Sequence, residues 1–127
     1  MNLSPLIPIQ NFIGGEWMPP LSGQYLPNIN PATGEVYGQI PLSQEADVNL
    51  AVDAARRAFP SWSRMPAEQR FQILNRIAEG IDHHLTELAL AETTDNGKPL
   101  WLSKKVDIPR ASSNFRFFAT ALMHYAS

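Results

Sequence analysis

The chain changes character at residue 42, and that change constrains its fold more than any single motif does. Seven of its eleven prolines and only two of its charged side chains, Glu16 and Glu35, lie in residues 1–42, whereas all ten Lys and Arg begin at Arg56. Proline fixes φ and removes a backbone donor, so residues 1–42 are expected to be extended and turn-rich, and residues 43–127 to form amphipathic helices. Gln10 to Ile13, Gly14-Gly15 and Glu16 to Met18 have the form of a tight hairpin, because two adjacent glycines supply the positive φ such a turn demands. Ile29 to Val36 repeats the idea with a longer turn, in which Pro31 presets φ and Gly34 permits a left-handed exit. An isolated strand pair is marginal in water, so both pairs are expected to lie on the helices or to join a sheet supplied elsewhere. The fold class is mostly α with N-terminal β-hairpins.

Ser43 is expected to cap the first helix, with Glu45 and Asp47 in the first turn, where the dipole favours negative charge. Val48, Ala51, Val52, Ala55 and Phe59 form its apolar stripe, and Pro60 is expected to end it. A second helix is predicted from Pro66, carrying Phe71, Leu74, Ala78, Ile81, Leu85 and Leu88 on one face to a stop at Asn96-Gly97. Gly80 and the pair His83-His84 mark a kink or a break into two helices. A last stripe, Ile108, Ala111, Phe115, Phe118, Leu122 and Tyr125, is still in phase two residues before Ser127, with no capping residue behind it. This pattern predicts a chain that stops inside a buried helix, as a piece of a larger body would. The stripes persist for fewer than four heptads and lack regular flanking charges, which favours a globular core over a zipper.

Composition removes several chemistries. With 44% apolar residues and no run near the roughly 18 needed to cross a bilayer, the chain reads as soluble and globular. Its net charge is −2, and Arg56-Arg57 and Lys104-Lys105 are the only adjacent basic pairs, so no nucleic-acid or membrane footprint is expected. Without cysteine there is no disulfide framework, thiolate metal site or cysteine nucleophile among these residues. Met1 to Pro5 lacks the basic residue and long apolar run of a signal peptide, and a cytoplasmic location is the expectation.

His83 and His84 are adjacent and point about 100° apart on a helix, so they cannot clamp one metal as an i, i+4 pair would. They are expected on a solvated shoulder, and His124, with no carboxylate or nucleophile at a recognisable spacing, is expected to pack. Neither a G-x-G-x-x-G pattern nor a G-x-x-x-x-G-K-[ST] loop is present. The helical spacing of Phe115, Phe117, Phe118 and Tyr125 points to core packing rather than a base-stacking platform.

Arg110 is the one side chain for which a functional reading competes. Asp107 is expected to cap the helix that follows, which puts Arg110 in its first turn, where a positive charge opposes the dipole. Such a cation needs an anionic partner. That partner is either Asp107 or another internal carboxylate, or else a ligand carboxylate held by the planar two-pronged guanidinium.

Taken in order, Asn11 to Trp17 (NFIGGEW), Asn30 to Val36 (NPATGEV), Ala51 to Phe59 (AVDAARRAF), Trp62 and Asp95 to Pro99 (DNGKP) resemble the opening of an NAD(P)-dependent aldehyde dehydrogenase. The resemblance covers roughly residues 10–127. It implies an α/β fold with a Rossmann-like coenzyme domain, of which residues 43–127 would be a truncated portion. It also implies NAD or NADP as cofactor, a small-molecule aldehyde as substrate and a homo-oligomer when complete. In the family a cysteine thiolate attacks the aldehyde and the hydride of the thiohemiacetal passes to the nicotinamide. A glutamate then helps water to release the acid, and an asparagine side chain and the cysteine amide stabilise the oxyanion. Those groups and the coenzyme loop lie beyond the stretch that is resembled, so no catalytic, cofactor-binding or metal-binding residue is carried over. The 127-residue chain alone is expected to be inactive and to bind no cofactor.

Asp107 to Arg110, followed by Asn114 to Phe118, most resembles the subgroup acting on 2-hydroxymuconic and 2-aminomuconic semialdehydes. These substrates carry a carboxylate, and in the subgroup an arginine matching Arg110 is implicated in holding it. Arg110 is thus the candidate substrate-binding residue. The alternative is a non-enzymatic truncated module that associates with a partner subunit through exposed apolar helix faces.

Overall fold

The computed structural model describes residues 7–125, and Met1 to Pro5, on which the signal-peptide reading rests, lie outside them. The chain is mostly helical, with two small antiparallel hairpins as the sequence predicts, and it divides into two compact units between Ser61 and Trp62.

In the first unit, β2 (Asn11–Ile13) and β3 (Glu16–Met18) pair antiparallel around Gly14 and Gly15, whose φ values of 64° and 91° exclude most other residues. Phe12 and Trp17 face each other across this pair with ring centroids 4.9 Å apart. The second hairpin joins β4 (Tyr25–Ile29) to β5 (Val36–Pro41). Its turn is held by Asn30, whose side-chain oxygen accepts from the amide of Ala32 at 2.9 Å and whose amide donates to the carbonyl of Glu35 at 2.9 Å. One strand was not legible in the sequence: β1 (Ile7–Pro8) lies parallel to β5, giving a sheet ordered β1-β5-β4.

The helix α1 (Glu45–Arg64) differs from expectation at both ends. Ser43 does not cap it, because its hydroxyl is engaged with the Asn11 side chain at 2.9 Å. Asp47 does the capping instead, its carboxylate accepting from the amides of Gln44 and Leu21 at 2.8 Å each. The bond to Gln44 is the acidic half of a capping box, and the bond to Leu21 ties the loop after β3 to the helix start. Pro60 lies inside the helix, which continues to Arg64. A proline there forgoes one hydrogen bond, and the final turn is retained with Trp62 half-buried in the second unit. The expected apolar stripe is also corrected: Val48, Ala51, Val52, Ala55 and Phe59 are all exposed, because the small β2-β3 hairpin and the loop at Leu21 cover too little of the helix.

The amides of Gln44 and Leu21 hold the Asp47 carboxyl below the usual aspartate range. A lowered folded pKa contributes stability that is present above the ordinary aspartate value and lost as pH falls through the lowered one. The exchange protection of the Leu21 and Gln44 amides is therefore expected to collapse below about pH 4. Asp47→Asn should weaken that protection at pH 7 and remove its acid dependence; unchanged protection at pH 7 would refute the capping role.

The second unit holds α2 (Ala67–His83) and α3 (Leu85–Asn96), which break at His84 as the sequence suggests. Gly97 closes α3 in the left-handed conformation, with φ of 78°. From Leu100 onward the backbone is continuously helical through α4 (Leu100–Leu102), a π-helical segment (Ser103–Asp107) and α5 (Ile108–His124). The core sits where small residues let helices approach: Ala78 on α2, Ala89 on α3 and Ala119 on α5 are each 0% exposed. The Arg116 guanidinium on α5 pairs with Asp82 on α2.

The C-terminal stripe is the largest correction. The buried line of α5 runs through Ser112 and Ala119, flanked by half-buried Ile108, Ala111 and Leu122, whereas Phe117, Phe118 and Tyr125 are 66%, 62% and 82% exposed. The aromatic residues expected in the core therefore lie outside it, and His124, expected to pack, is exposed as well. Among the described residues α5 ends at His124, and Tyr125, expected to continue the helix, is extended.

Candidate functional site

Arg110 is the third residue of α5, but the helical run that carries it starts earlier. Asp107 has helical φ and ψ of −69° and −52° and makes no side-chain capping bond. Arg110 consequently stands well inside a run that begins at Leu100, and the dipole penalty of a first-turn cation does not apply to it. That part of the sequence reasoning is corrected.

The proposed pairing of Arg110 with Asp107 is also corrected, because Asp107 is taken. The Lys98 ammonium donates to Asp107 Oδ2 at 2.8 Å and to Glu92 Oε1 at 3.0 Å. Glu92 Oε1 accepts from the Asn96 amide group as well, at 2.6 Å. Lys98 thus ties the end of α3 to the π-helical segment across the Gly97 turn. Nearby, the Thr93 and Ser103 hydroxyls share a 3.1 Å hydrogen bond, with Ser103 fully buried. The Asp107 and Glu92 carboxylates hold the Lys98 ammonium above the usual lysine range. A raised folded pKa means that the clamp is intact at neutral pH and is lost only as pH rises through that raised value.

Arg110 itself is exposed and forms no ion pair among the described residues. Its carbonyl accepts from the Ser113 hydroxyl at 3.0 Å. An exposed guanidinium without an internal carboxylate keeps its planar donors available, and such a group can bind a carboxylate by two parallel hydrogen bonds.

Two features were not found by sequence reasoning. One is the Lys98 clamp, whose partners lie six and nine residues away across a turn, outside any helical period. The other is an open apolar cavity of about 340 Å³ in the second unit, bordered by Trp62, Leu74, Phe118, Leu122 and Tyr125, into whose wall Arg70 is set with its Nε buried and unpaired. His83 and His84 lie exposed as expected, with His84 Nδ1 3.0 Å from Glu87, and no group of three metal-ligating side chains occurs among the described residues. No helix among them is long and apolar enough to cross a membrane.

Residues 17–127 match the aldehyde dehydrogenase family. The 2-aminomuconic semialdehyde dehydrogenase of Bos taurus is 46% identical over 122 residues, covering 96% of this chain and 25% of that protein. The fluoroacetaldehyde dehydrogenase of Streptantibioticus cattleyicolor is 48% identical over 112 residues, covering 88% and 22%. Among solved structures, the NAD+ complex of an aldehyde dehydrogenase from Bacillus cereus is similar at a TM-score of 0.85 and 37% identity, over 88% of this chain and 23% of that one. The chain spans about a quarter of the length of the curated relatives it matches. Since the family match runs from Trp17 to Ser127, through the strand β3, the Lys98 turn and every helix described above, this chain belongs to the aldehyde dehydrogenase family.

Proposed function

We propose that this chain is the N-terminal segment of an oxidoreductase that oxidises a carboxylated semialdehyde to its acid with NAD or NADP, and that it contributes Arg110 to hold the substrate carboxylate. Membership of the family and the similarity to 2-aminomuconic semialdehyde dehydrogenase support the aldehyde chemistry. The observation that carries the carboxylated class is Arg110, an exposed guanidinium whose nearest sequence carboxylate is bound by Lys98. The complete enzyme is read as cytoplasmic and homo-oligomeric, with residues 43–127 forming part of its coenzyme domain.

The cofactor is assigned to the remainder of that enzyme. The glycines with positive φ among the described residues sit in turns or behind α3, and none of them opens a helix after a strand, which supports that assignment.

Arg110→Ala in the complete enzyme tests the reading. A hydrogen-bonded charge pair is worth roughly 1.5–3 kcal/mol, so KM for a carboxylated semialdehyde should rise about 10- to 100-fold. KM for a neutral aldehyde of similar length should change less than about twofold, the difference isolating the carboxylate contact. Equal effects on both substrates would remove Arg110 from the site.

The exposure of Phe59, Phe117 and Phe118 favours a second reading, in which the chain acts without catalysis by associating with a partner subunit. A purified chain that is monomeric and binds no hydrophobic dye would contradict it.

A further inference from the structure

We infer that Lys98 is a specificity-determining residue: by occupying Asp107 it prevents that carboxylate from neutralising Arg110 and so keeps the guanidinium free for an anionic substrate. This rests on the reading of Arg110 as the carboxylate ligand.

Asp107 and Arg110 are three residues apart on one helical run, the spacing at which an acidic residue N-terminal to a basic one forms a favourable pair. They form none, and the difference lies in where Asp107 is directed. Its Oδ2 is 2.8 Å from Lys98 Nζ, and both side chains are about three-quarters buried, at 26% and 28% exposure. A half-sheltered pair of this kind outcompetes one with the exposed Arg110, because it is less screened by solvent. Glu92 fixes the lysine from the other side at 3.0 Å and also keeps Asn96 as a donor, so loss of Lys98 leaves Asp107 as the carboxylate in search of a partner. Released, Asp107 would act against the substrate twice. It would compete for Arg110 as an internal carboxylate, and its unpaired charge would repel an anionic ligand.

The ion pair holds Asp107, the last residue of the π-helical segment Ser103–Asp107, whose wider turn sets the rotation of α5 relative to α4. Lys98 therefore anchors the segment that leads into α5, which carries Arg110, and in this proposal it acts through Asp107 and not on the substrate itself. It is a positioning residue.

The test is the ratio of KM for a carboxylated semialdehyde to KM for a neutral aldehyde in the complete enzyme, with melting temperature followed alongside. Lys98→Gln should raise the ratio by about 1.5- to fivefold, the range an exposed competing ion pair commands. Lys98→Arg should keep the wild-type ratio. The double variant Lys98→Gln/Asp107→Asn retains a hydrogen bond across the turn with neither charge, and it should return the ratio to the wild-type value even where both variants melt earlier. A purely structural role for Lys98 would leave the double variant as impaired as the single one, and that result would overturn the inference. So would an unchanged ratio in Lys98→Gln while Arg110→Ala raises it, which would leave the reading of Arg110 standing. An unchanged ratio in Arg110→Ala would instead overturn that reading, and this inference with it.

Discussion

The purified 127-residue chain is expected to give no aldehyde-dependent reduction of NAD or NADP above a buffer control. Hydride leaves an aldehyde carbon only after a nucleophile has made that carbon tetrahedral, and a cysteine thiol is effective at this because a few per cent of it is the strongly nucleophilic thiolate at neutral pH. The chain has no thiol. Its hydroxyls are poor substitutes where they are engaged: Ser112 and Ser113 donate to the carbonyls of Pro109 and Arg110 at 3.1 and 3.0 Å, and Thr93 shares its hydrogen bond with Ser103. Ser112 lies beside the Asp82 carboxylate, but Ser112 and Arg116 hold that carboxyl below the usual aspartate range, which leaves a poor base for an alcohol nucleophile. Loss of the nucleophile and of the oxyanion donors together removes on the order of a million-fold or more of rate. Any saturable turnover that follows the purified chain through a second chromatography step would refute the expectation and require a nucleophile that these residues do not display.

Replacing Ala119 by Leu is expected to be the most damaging single packing change in the second unit. Ala119 is fully buried on α5, which packs on α2, where Ala78 is equally buried, so three added carbons have no free volume to enter. Overpacking of this sort costs about 1–3 kcal/mol. For a unit of this size each kcal/mol lowers the melting temperature by about 4–8 °C, so thermal unfolding of the 127-residue chain should register the change clearly. Phe117→Ala supplies the contrast. Although it deletes a whole ring, Phe117 is exposed, and in the same chain the change should stay within about 0.5 kcal/mol. If the phenylalanine variant proved the less stable of the two, the buried line through Ser112 and Ala119 would be misplaced.

The contrast between these two residues also explains what the sequence could reveal. Turn chemistry was legible because it is local: Gly14-Gly15 and Gly34 have the positive φ their turns require, and Gly97 closes α3 where Asn96-Gly97 predicts a stop. The break at His83-His84 was legible for the same reason. Side-chain burial was not, because hydrophobicity marks what a residue is suited to bury and not what lies opposite it. Periodicity therefore selected Phe115, Phe118 and Tyr125 for the core, while the structure uses the small residues one position along, Ser112 and Ala119, to bring two backbones together. On α1 the apolar positions were correctly periodic, yet within these residues they meet too little surface to be covered.

The candidate site was legible in a different way. Arg110 was singled out for its position behind Asp107, and the structure removes that reason, since neither the helix start nor the cap is at residue 107. It supplies another. Lys98 reaches Asp107 from beyond the Gly97 turn, a long-range pairing that no window of helical spacing contains, and the result leaves Arg110 without an internal partner among the described residues. The family resemblance singled out the same arginine without either argument.

The π-helical turn at Ser103–Asp107 has a consequence for how this region tolerates a change in length. Such a turn holds one residue more than an α-turn, so it absorbs an insertion that would otherwise rotate everything after it by about 100°. Deleting one residue between Ser103 and Asp107 would not break the helix; it would restore ordinary winding and turn Arg110 away from the direction fixed by α4 and the Lys98 turn. Among related sequences, a one-residue gap at this place would therefore mark a change in what the arginine faces, even where every neighbouring side chain stays the same.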